Sequence, residues 1–333
     1  MDYTNLRGGE YRFVMRLEGE NTNGSNELSV LIRKELVIHE QAWFWITVGI
    51  IVLLLNLWLI RLMLKRQARR IERKKDQERI AGDLRLASDI QVSALPRALP
   101  QAAEGKKFDL HASMTPAKEV GGDFYDYFLI DDDHLAMVIA DVSGKGIPAA
   151  LFMTVSKALI KTQLMTGLTP AEALTNVNLQ LCENNESKMF VTVWAAVIEL
   201  STGKGLACNA GHEHPALRRA GGKFELQKYK HNIFTGASKK AKYQNREFEM
   251  RPGDCLFVYT DGIPEAQNAQ EELFGEERLT AALNREPKAG PEELMSVVRE
   301  AVDDFVQDAP QFDDLTMLSF RYWGAETTVT GGK

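Results

Sequence analysis

Twenty consecutive residues, Gln41 to Ile60 (QAWFWITVGIIVLLLNLWLI), carry no formal charge. No other feature restricts the fold of this chain so severely. At about 1.5 Å of rise per residue, a helix of that length spans roughly the 30 Å of a bilayer core. Inside a bilayer a helix satisfies all its own backbone polar groups. The segment predicts one membrane-spanning helix over 41–64. Trp43, Phe44 and Trp45 form an aromatic belt at one end, and residues 61–79 hold nine Lys and Arg against three acidic residues at the other. The positive-inside bias then places residues 61–333 in the cytoplasm. A buried core helix would leave both flanks unexplained. A cleaved signal peptide is disfavoured, since forty largely polar residues precede the segment and no A-x-A site follows it.

The net charge of the 333 residues, −6, conceals a division. Residues 1–40 stand at −2 and residues 61–79 at +6, so residues 80–333 stand at −10 by difference. An acidic body of this kind is a poor ligand for a phosphate backbone, which excludes nucleic-acid binding. Hydrophobic residues make up 44 % and charged residues 26 %, the balance of a folded chain and not of a disordered one. Cys182, Cys208 and Cys255 are far apart and form no C-x-x-C pair. They read as small buried apolar residues, not as a disulfide scaffold or a thiolate zinc site.

Ahead of the membrane, YRFVMRLEG (Tyr11–Gly19), a turn cluster at Asn21–Asn26 and LSVLIRKELVI read as short strands, too few to bury a core alone. With the following span and basic linker, residues 1–40 resemble the tail of a three-tyrosine (Y_Y_Y) immunoglobulin-like sensor domain. This implies a partial extracytoplasmic segment, the end of a larger sensor or of a gene truncated at its start. Residues 65–96 continue as a helix, with Ile80, Leu84, Ala87, Gln91 and Ala94 at four-three spacing. That stripe suits either a two-helix coiled coil, hence a homodimer, or a single helix laid on the body, with the polar Gln91 weakening a coiled-coil seam. Pro96 and Pro100 end the helix.

From 105 to 323 strands and helices come in blocks. Strands are expected at Phe108–Met114, Tyr125–Ile130, His134–Asp141, Phe190–Leu200, Gly205–Asn209, Glu247–Met250, Asp254–Thr260 and Leu315–Arg321. Helices are expected at Pro148–Met165, Pro170–Glu183, Glu276–Asn284 and Pro291–Gln307. Without strict βαβ alternation the pattern favours α+β architecture, antiparallel sheets packed together with helices outside. A short tail, 324–333, reads as disordered.

Four stretches place an Asp where a strand meets a turn: GGDFYD (Asp123, Asp126), IADVSGKG (Asp141), YTDGIPEA (Asp261) and FDDLT (Asp313, Asp314). Gathered carboxylates repel one another and raise each other's proton affinity unless a cation neutralises them. Oxygen donors without a Cys/His set suit magnesium or manganese better than zinc. Two such ions can activate a water and clamp the oxygens of a phosphoryl group. The acidic turn Asp131–Asp133 reads as hairpin solvation, and the H-x-H spacing of His212 and His214 suggests a metal pair.

These blocks, with GHEHPALRR and ASDIQVSALP, occur in one order from Ser88 to Tyr322. They resemble the SpoIIE/RsbU-type serine phosphatases of the metal-dependent PPM (phosphatase 2C-like) family. The resemblance implies an α-β-β-α sandwich and hydrolysis of phosphoserine or phosphothreonine by metal-bound water, with two Mn2+ or Mg2+ ions. It implies metal ligation by Asp123, by Asp141 with the carbonyl of Val142, by Asp261, and by Asp313, or less readily by the adjacent Asp314. Asp126 would be a supporting partner or the site of an extra ion, and the block that holds His212 and His214 is structural in the family that the chain resembles. It also implies a phosphorylated STAS-type anti-sigma-factor antagonist, or a similar phosphoprotein, as partner. Two departures stand out. Ser143 occupies the position of a His in eukaryotic-type members and no Arg lies between Phe108 and Asp123, leaving Lys118 and Lys145 as candidate phosphate contacts. The segment His231–Asn245 lacks the Pro-Leu-Gly turn of the subfamily. The competing reading is a signalling scaffold that binds a partner through the phosphatase fold without turnover.

Overall fold

The computed structural model describes residues 6–16, 27–35, 37–38, 41–96, 107–183 and 185–324. The expected tail beyond Gly324 lies outside these residues. The chain divides into two units, 1–80 and 81–333.

In the first unit β1 (Gly9–Arg16) and β2 (Glu27–Lys34) pair antiparallel, Gly9 opposite Lys34 and Arg16 opposite Glu27. Arg16 and Glu27 close the register with an ion pair (Nε to Oε1, 2.8 Å), as do Arg33 and Glu10 at 2.8 Å. The apolar side chains Leu28, Leu31 and Ile32 are exposed, because a two-stranded ribbon has no second layer to cover them. Helix α1 (Ala42–Ser93) follows for 52 residues. Its most apolar stretch has a mean hydropathy of 2.3 with none of it buried, so it is long and apolar enough to cross a membrane. The expected span and linker are therefore one uninterrupted helix.

The second unit has the expected four layers. One sheet is ordered β10-β7-β6-β5-β4, from β4 (Phe124–Leu129), β5 (His134–Val142), β6 (Val191–Glu199), β7 (Lys204–Ala210) and β10 (Arg246–Glu249). The other is ordered β3-β12-β11-β8-β9, from β3 (Phe108–Thr115), β8 (Ala216–Arg218), β9 (Phe224–Leu226), β11 (Cys255–Tyr259) and β12 (Leu315–Tyr322). Every pairing between these strands is antiparallel. Helices α2 (Ile147–Met165) and α3 (Pro170–Leu181) cover the first sheet, and α4 (Gly275–Leu283) and α5 (Pro291–Val306) the second.

The larger core lies between the sheets and under α2 and α3, with Phe108, Phe124, Trp194 and Phe320 among its fully buried side chains. The smaller core joins the second sheet to α4 and α5 through Phe257, Leu279, Leu294 and Val298. Local chemistry sets the helix starts. Thr169 caps α3 in a reciprocal capping box with Glu172, and Pro291 follows Gly290 at the first turn of α5.

Candidate active site

The chain crosses from one sheet to the other between β3 and β4, and the loop that makes the crossing carries Gly121, Gly122 and Asp123. Asp123 is 2 % exposed and accepts a 2.7 Å hydrogen bond from the Thr260 hydroxyl at the end of β11. One loop of the first sheet is thereby fastened to a strand end of the second. Asp314, just before β12, completes the fastening: its carboxylate accepts from the amides of Ala117 (2.7 Å), Gly122 (2.7 Å) and Asp123 (3.3 Å). Glycine is required along this seam. A Cβ on Gly121 would strike the Asp314 carboxylate, one on Gly262 the Asp314 carbonyl, and one on Gly122 would lie 2.9 Å from the Val142 carbonyl oxygen.

Asp141 stands near the end of β5, opposite Thr192 of β6, and Asp261 opens the turn after β11. Their proton affinities reflect burial first and neighbouring charge second. Burial first, then the charges of Asp141 and Asp314, raise Asp123 well above the usual carboxylate range. Burial raises Asp141 to about 6 with the charges of Asp313 and Asp314, although a hydrogen bond with Asp123 and the charge of Lys145 oppose the shift. Burial raises Asp261 to about 7, helped by Asp141, Glu265, Asp313 and Glu213. The only cation held against the cluster, among the described residues, is Lys145. Its Nζ lies 2.9 Å from Asp313 Oδ2, donates to the Phe312 carbonyl at 2.7 Å, and sits 3.9 Å over the Phe312 ring.

This donor set fits hard divalent cations. It is oxygen-only, short of positive charge, and borders on the Val142 carbonyl in space kept open by Gly122. Among the described residues no three Asp, Glu, His or Cys side chains already close on one point. Cations that retain several waters and take one or two carboxylates each need no such cage.

Other expected residues lie elsewhere. Asp126 is paired with Lys157 of α2, both nearly buried, and also accepts from the Tyr127 amide at 3.0 Å. Its carboxylate is committed to that helix, not to the cluster. Lys118 is exposed on the crossing loop. Asp131 caps the β4–β5 turn through the amides of Asp133 and His134, both at 2.8 Å. His212 is buried with Nδ1 2.9 Å from the Thr192 hydroxyl, and burial lowers it to about 3, so it is neutral. His214 contacts the Tyr229 carbonyl at 2.8 Å instead. The H-x-H pair therefore does not converge. Ser143 accepts from the Phe190 amide at 2.9 Å.

Two residues gain roles that the sequence pattern concealed. Thr260 precedes the T-D-G turn as an ordinary strand residue, yet it orients Asp123. Gln91 of α1 is buried and grips both backbone groups of Gly121, donating to its carbonyl at 2.6 Å and accepting from its amide at 3.0 Å. The stripe on the body is Leu84, Ser88, Gln91 and Leu95, offset from the expected one, and the glutamine is its anchor.

A two-sheet sandwich flanked by helices, with acidic loops meeting at one end of the seam, defines the PP2C-type fold. Residues 131–323 match the SpoIIE family, described as Stage II sporulation protein E. The chain belongs to this family and carries a SpoIIE-type PP2C serine phosphatase domain. Protein IcfG of Synechocystis sp. is 29 % identical over 270 residues, covering 71 % of this chain and 41 % of that protein. The phosphoserine phosphatase RsbU of Bacillus subtilis is 26 % identical over 248 residues, covering 74 % and 71 % respectively. This chain thus spans less than half the length of the first relative. Among solved structures, the SiaA-PP2C domain of Pseudomonas aeruginosa superposes with a TM-score of 0.63 at 24 % identity, over 74 % of this chain and 97 % of that one.

Proposed function

We propose that this chain is a membrane-anchored, metal-dependent protein serine/threonine phosphatase. The observation that carries this reading is the acidic set at the seam of the two sheets, where burial and neighbouring Asp charges raise the proton affinities of Asp123, Asp141 and Asp261 and where Asp313 meets Lys145. Such a cluster is stabilised at neutral pH when cations replace the protons. Asp123, Asp141, the Val142 carbonyl, Asp261 and Asp313 would hold two Mn2+ or Mg2+ ions, which when bound supply an activated water and neutralise phosphoryl charge. The remaining work belongs to side chains. Thr260 fixes the rotamer of Asp123, Asp314 fixes the crossing loop, and Lys145, already at the mouth, is the group placed to meet a phosphate oxygen once Asp313 is otherwise neutralised. No Ser or Cys nucleophile with an adjacent base stands at the cluster among the described residues, which supports direct attack by water over a covalent intermediate.

The basic flank of the span supports a cytoplasmic phosphatase body. Kinship with the phosphoserine phosphatase RsbU supports a phosphoserine protein as substrate, and a phosphorylated STAS-type anti-sigma-factor antagonist, or a similar protein, is the partner that the sequence resemblance implies. The competing scaffold reading is weakened by the presence of every expected carboxylate. The test is hydrolysis of a phosphoserine peptide by the full chain in detergent with Mn2+ or Mg2+. Turnover should vanish in excess chelator and fall by roughly 100-fold or more in Asp141→Asn. Full activity in chelator would overturn the metal mechanism, and a wild-type chain without activity under any divalent ion would favour the scaffold.

A further inference from the structure

At the end of the first sheet that carries Asp141, a cleft of about 450 Å³ opens between residues 185–190, with Cys182, and the loop 234–239. Its floor is a pair of half-buried rings, Phe190 and Phe234, with centroids 4.1 Å apart. The charged residues that line it are Lys188 and Lys239. Lys240 and Lys242 stand exposed further along the same loop, against exposed Glu183 and Glu186 on the facing turn. Residues 80–333 carry −10 overall, so the sign of the charge is reversed here.

Two side-chain amides, one buried and one half-buried, build this cleft. Asn185 donates to the carbonyls of Met189 (2.5 Å) and Gly236 (3.2 Å) and accepts from the Met189 amide (2.9 Å). Asn178 of α3, 1 % exposed, donates to the Ser238 carbonyl and accepts from the Gly236 amide, both at 2.9 Å. Lys188 is held at φ 52°, a strained left-handed conformation for a non-glycine residue, and Gly236 at φ 86° brings the two loops together where a Cβ would sit 3.0 Å from the Met189 carbonyl. The wall is continuous with the acidic cluster. Phe190 and Ser143 exchange hydrogen bonds at 2.9 Å, the amide of each donating to the other residue, and Ser143 lies two residues past Asp141.

We propose that this cleft docks an acidic segment of the phosphoprotein substrate, with an apolar side chain seated on Phe190 and Phe234 and flanking carboxylates facing Lys188 and Lys239. The inference rests on the phosphatase reading and adds to it the determinant of protein specificity. Charge complementarity beside the site raises encounter rate and fixes register, while the aromatic floor supplies desolvated contact area.

The test uses the full chain in nanodiscs of zwitterionic phosphatidylcholine and a fluorescein-labelled, unphosphorylated peptide of alternating acidic and leucine residues, read by anisotropy. Binding should weaken with added salt and fall roughly tenfold in Lys188→Asn/Lys239→Gln. The Asn tolerates the left-handed turn, and circular dichroism confirms folding. A Lys65→Glu/Arg66→Glu control should bind like wild type. Equal binding by the cleft variant, loss in the control alone, or no binding by wild type would overturn the proposal. Hydrolysis of p-nitrophenyl phosphate by the wild-type chain reports separately on the phosphatase reading.

Discussion

Asp314 holds three backbone amides of the crossing loop while its neighbour Asp313 faces Lys145 at the mouth of the cluster. Asp314→Ala should unpair those amides and destabilise the fold by about 2–4 kcal/mol. Asp313→Asn should leave the melting temperature of the metal-free chain nearly unchanged and weaken manganese binding, measured by titration calorimetry. The raised carboxylates also set a pH dependence. Asp141 near 6 and Asp261 near 7 lie above their unfolded values, so their contribution is fully present below about pH 4 and is lost as pH rises through 6 and 7. Chelator-treated protein should therefore melt at a lower temperature at pH 8 than at pH 5, by an amount reflecting on the order of 2–4 kcal/mol, and saturating magnesium should remove most of that difference. Elsewhere, Lys157→Met should cost about 3–5 kcal/mol by stranding the buried Asp126 carboxylate, and Asp126→Asn added to it should recover part of the loss.

The end of α1 reaches the site as an element, because Gln91 holds the loop that carries Asp123. Gln91→Leu should leave the Gly121 amide and carbonyl unpaired and change both metal affinity and turnover, whereas Ile80→Ala should change neither. Fusing a dimeric coiled coil ahead of Ile80 in successive heptad registers should alter turnover with register in the wild type and not in Gln91→Leu. Equal turnover in every register would reduce the helix to a tether. The strands and helices of the body were legible because their apolar runs and punctuating Pro and Gly are local signals, and their ends fall within two residues of expectation. β8 and β9 were not legible: three residues each, in ALRRAGGKFEL, give a period-two pattern no length to declare itself, and only their pairing with each other, and that of β8 with β11, makes them strands. The four acidic loops could be read from their motifs. The role of Gln91 could not, since its partner lies thirty residues away and a glutamine in an apolar stripe looks like a flaw. Asp126 misled for the opposite reason, sharing a motif with Asp123 while β4 aims it at α2.

At the scale of the whole molecule, the charge division predicts topology. Protease added outside intact cells should spare residues 65–333, because carrying nine Lys and Arg through a bilayer is strongly disfavoured. Cleavage of the phosphatase body from outside would reverse the orientation. The sandwich has one further property. Its first and last strands are neighbours: β3 is an edge strand paired with β12 along its whole length, Phe108 opposite Tyr322, and the Trp323 amide donates to the Lys107 carbonyl at 2.8 Å. Entry and exit therefore share one rim, a single strand spacing apart. A short bridge from 324 to 107, with the chain reopened at the exposed Gly221–Gly222 turn, would give a circular permutant in which every sheet register survives. The body is a cassette: evolution or an engineer can hang it from either terminus without re-threading it.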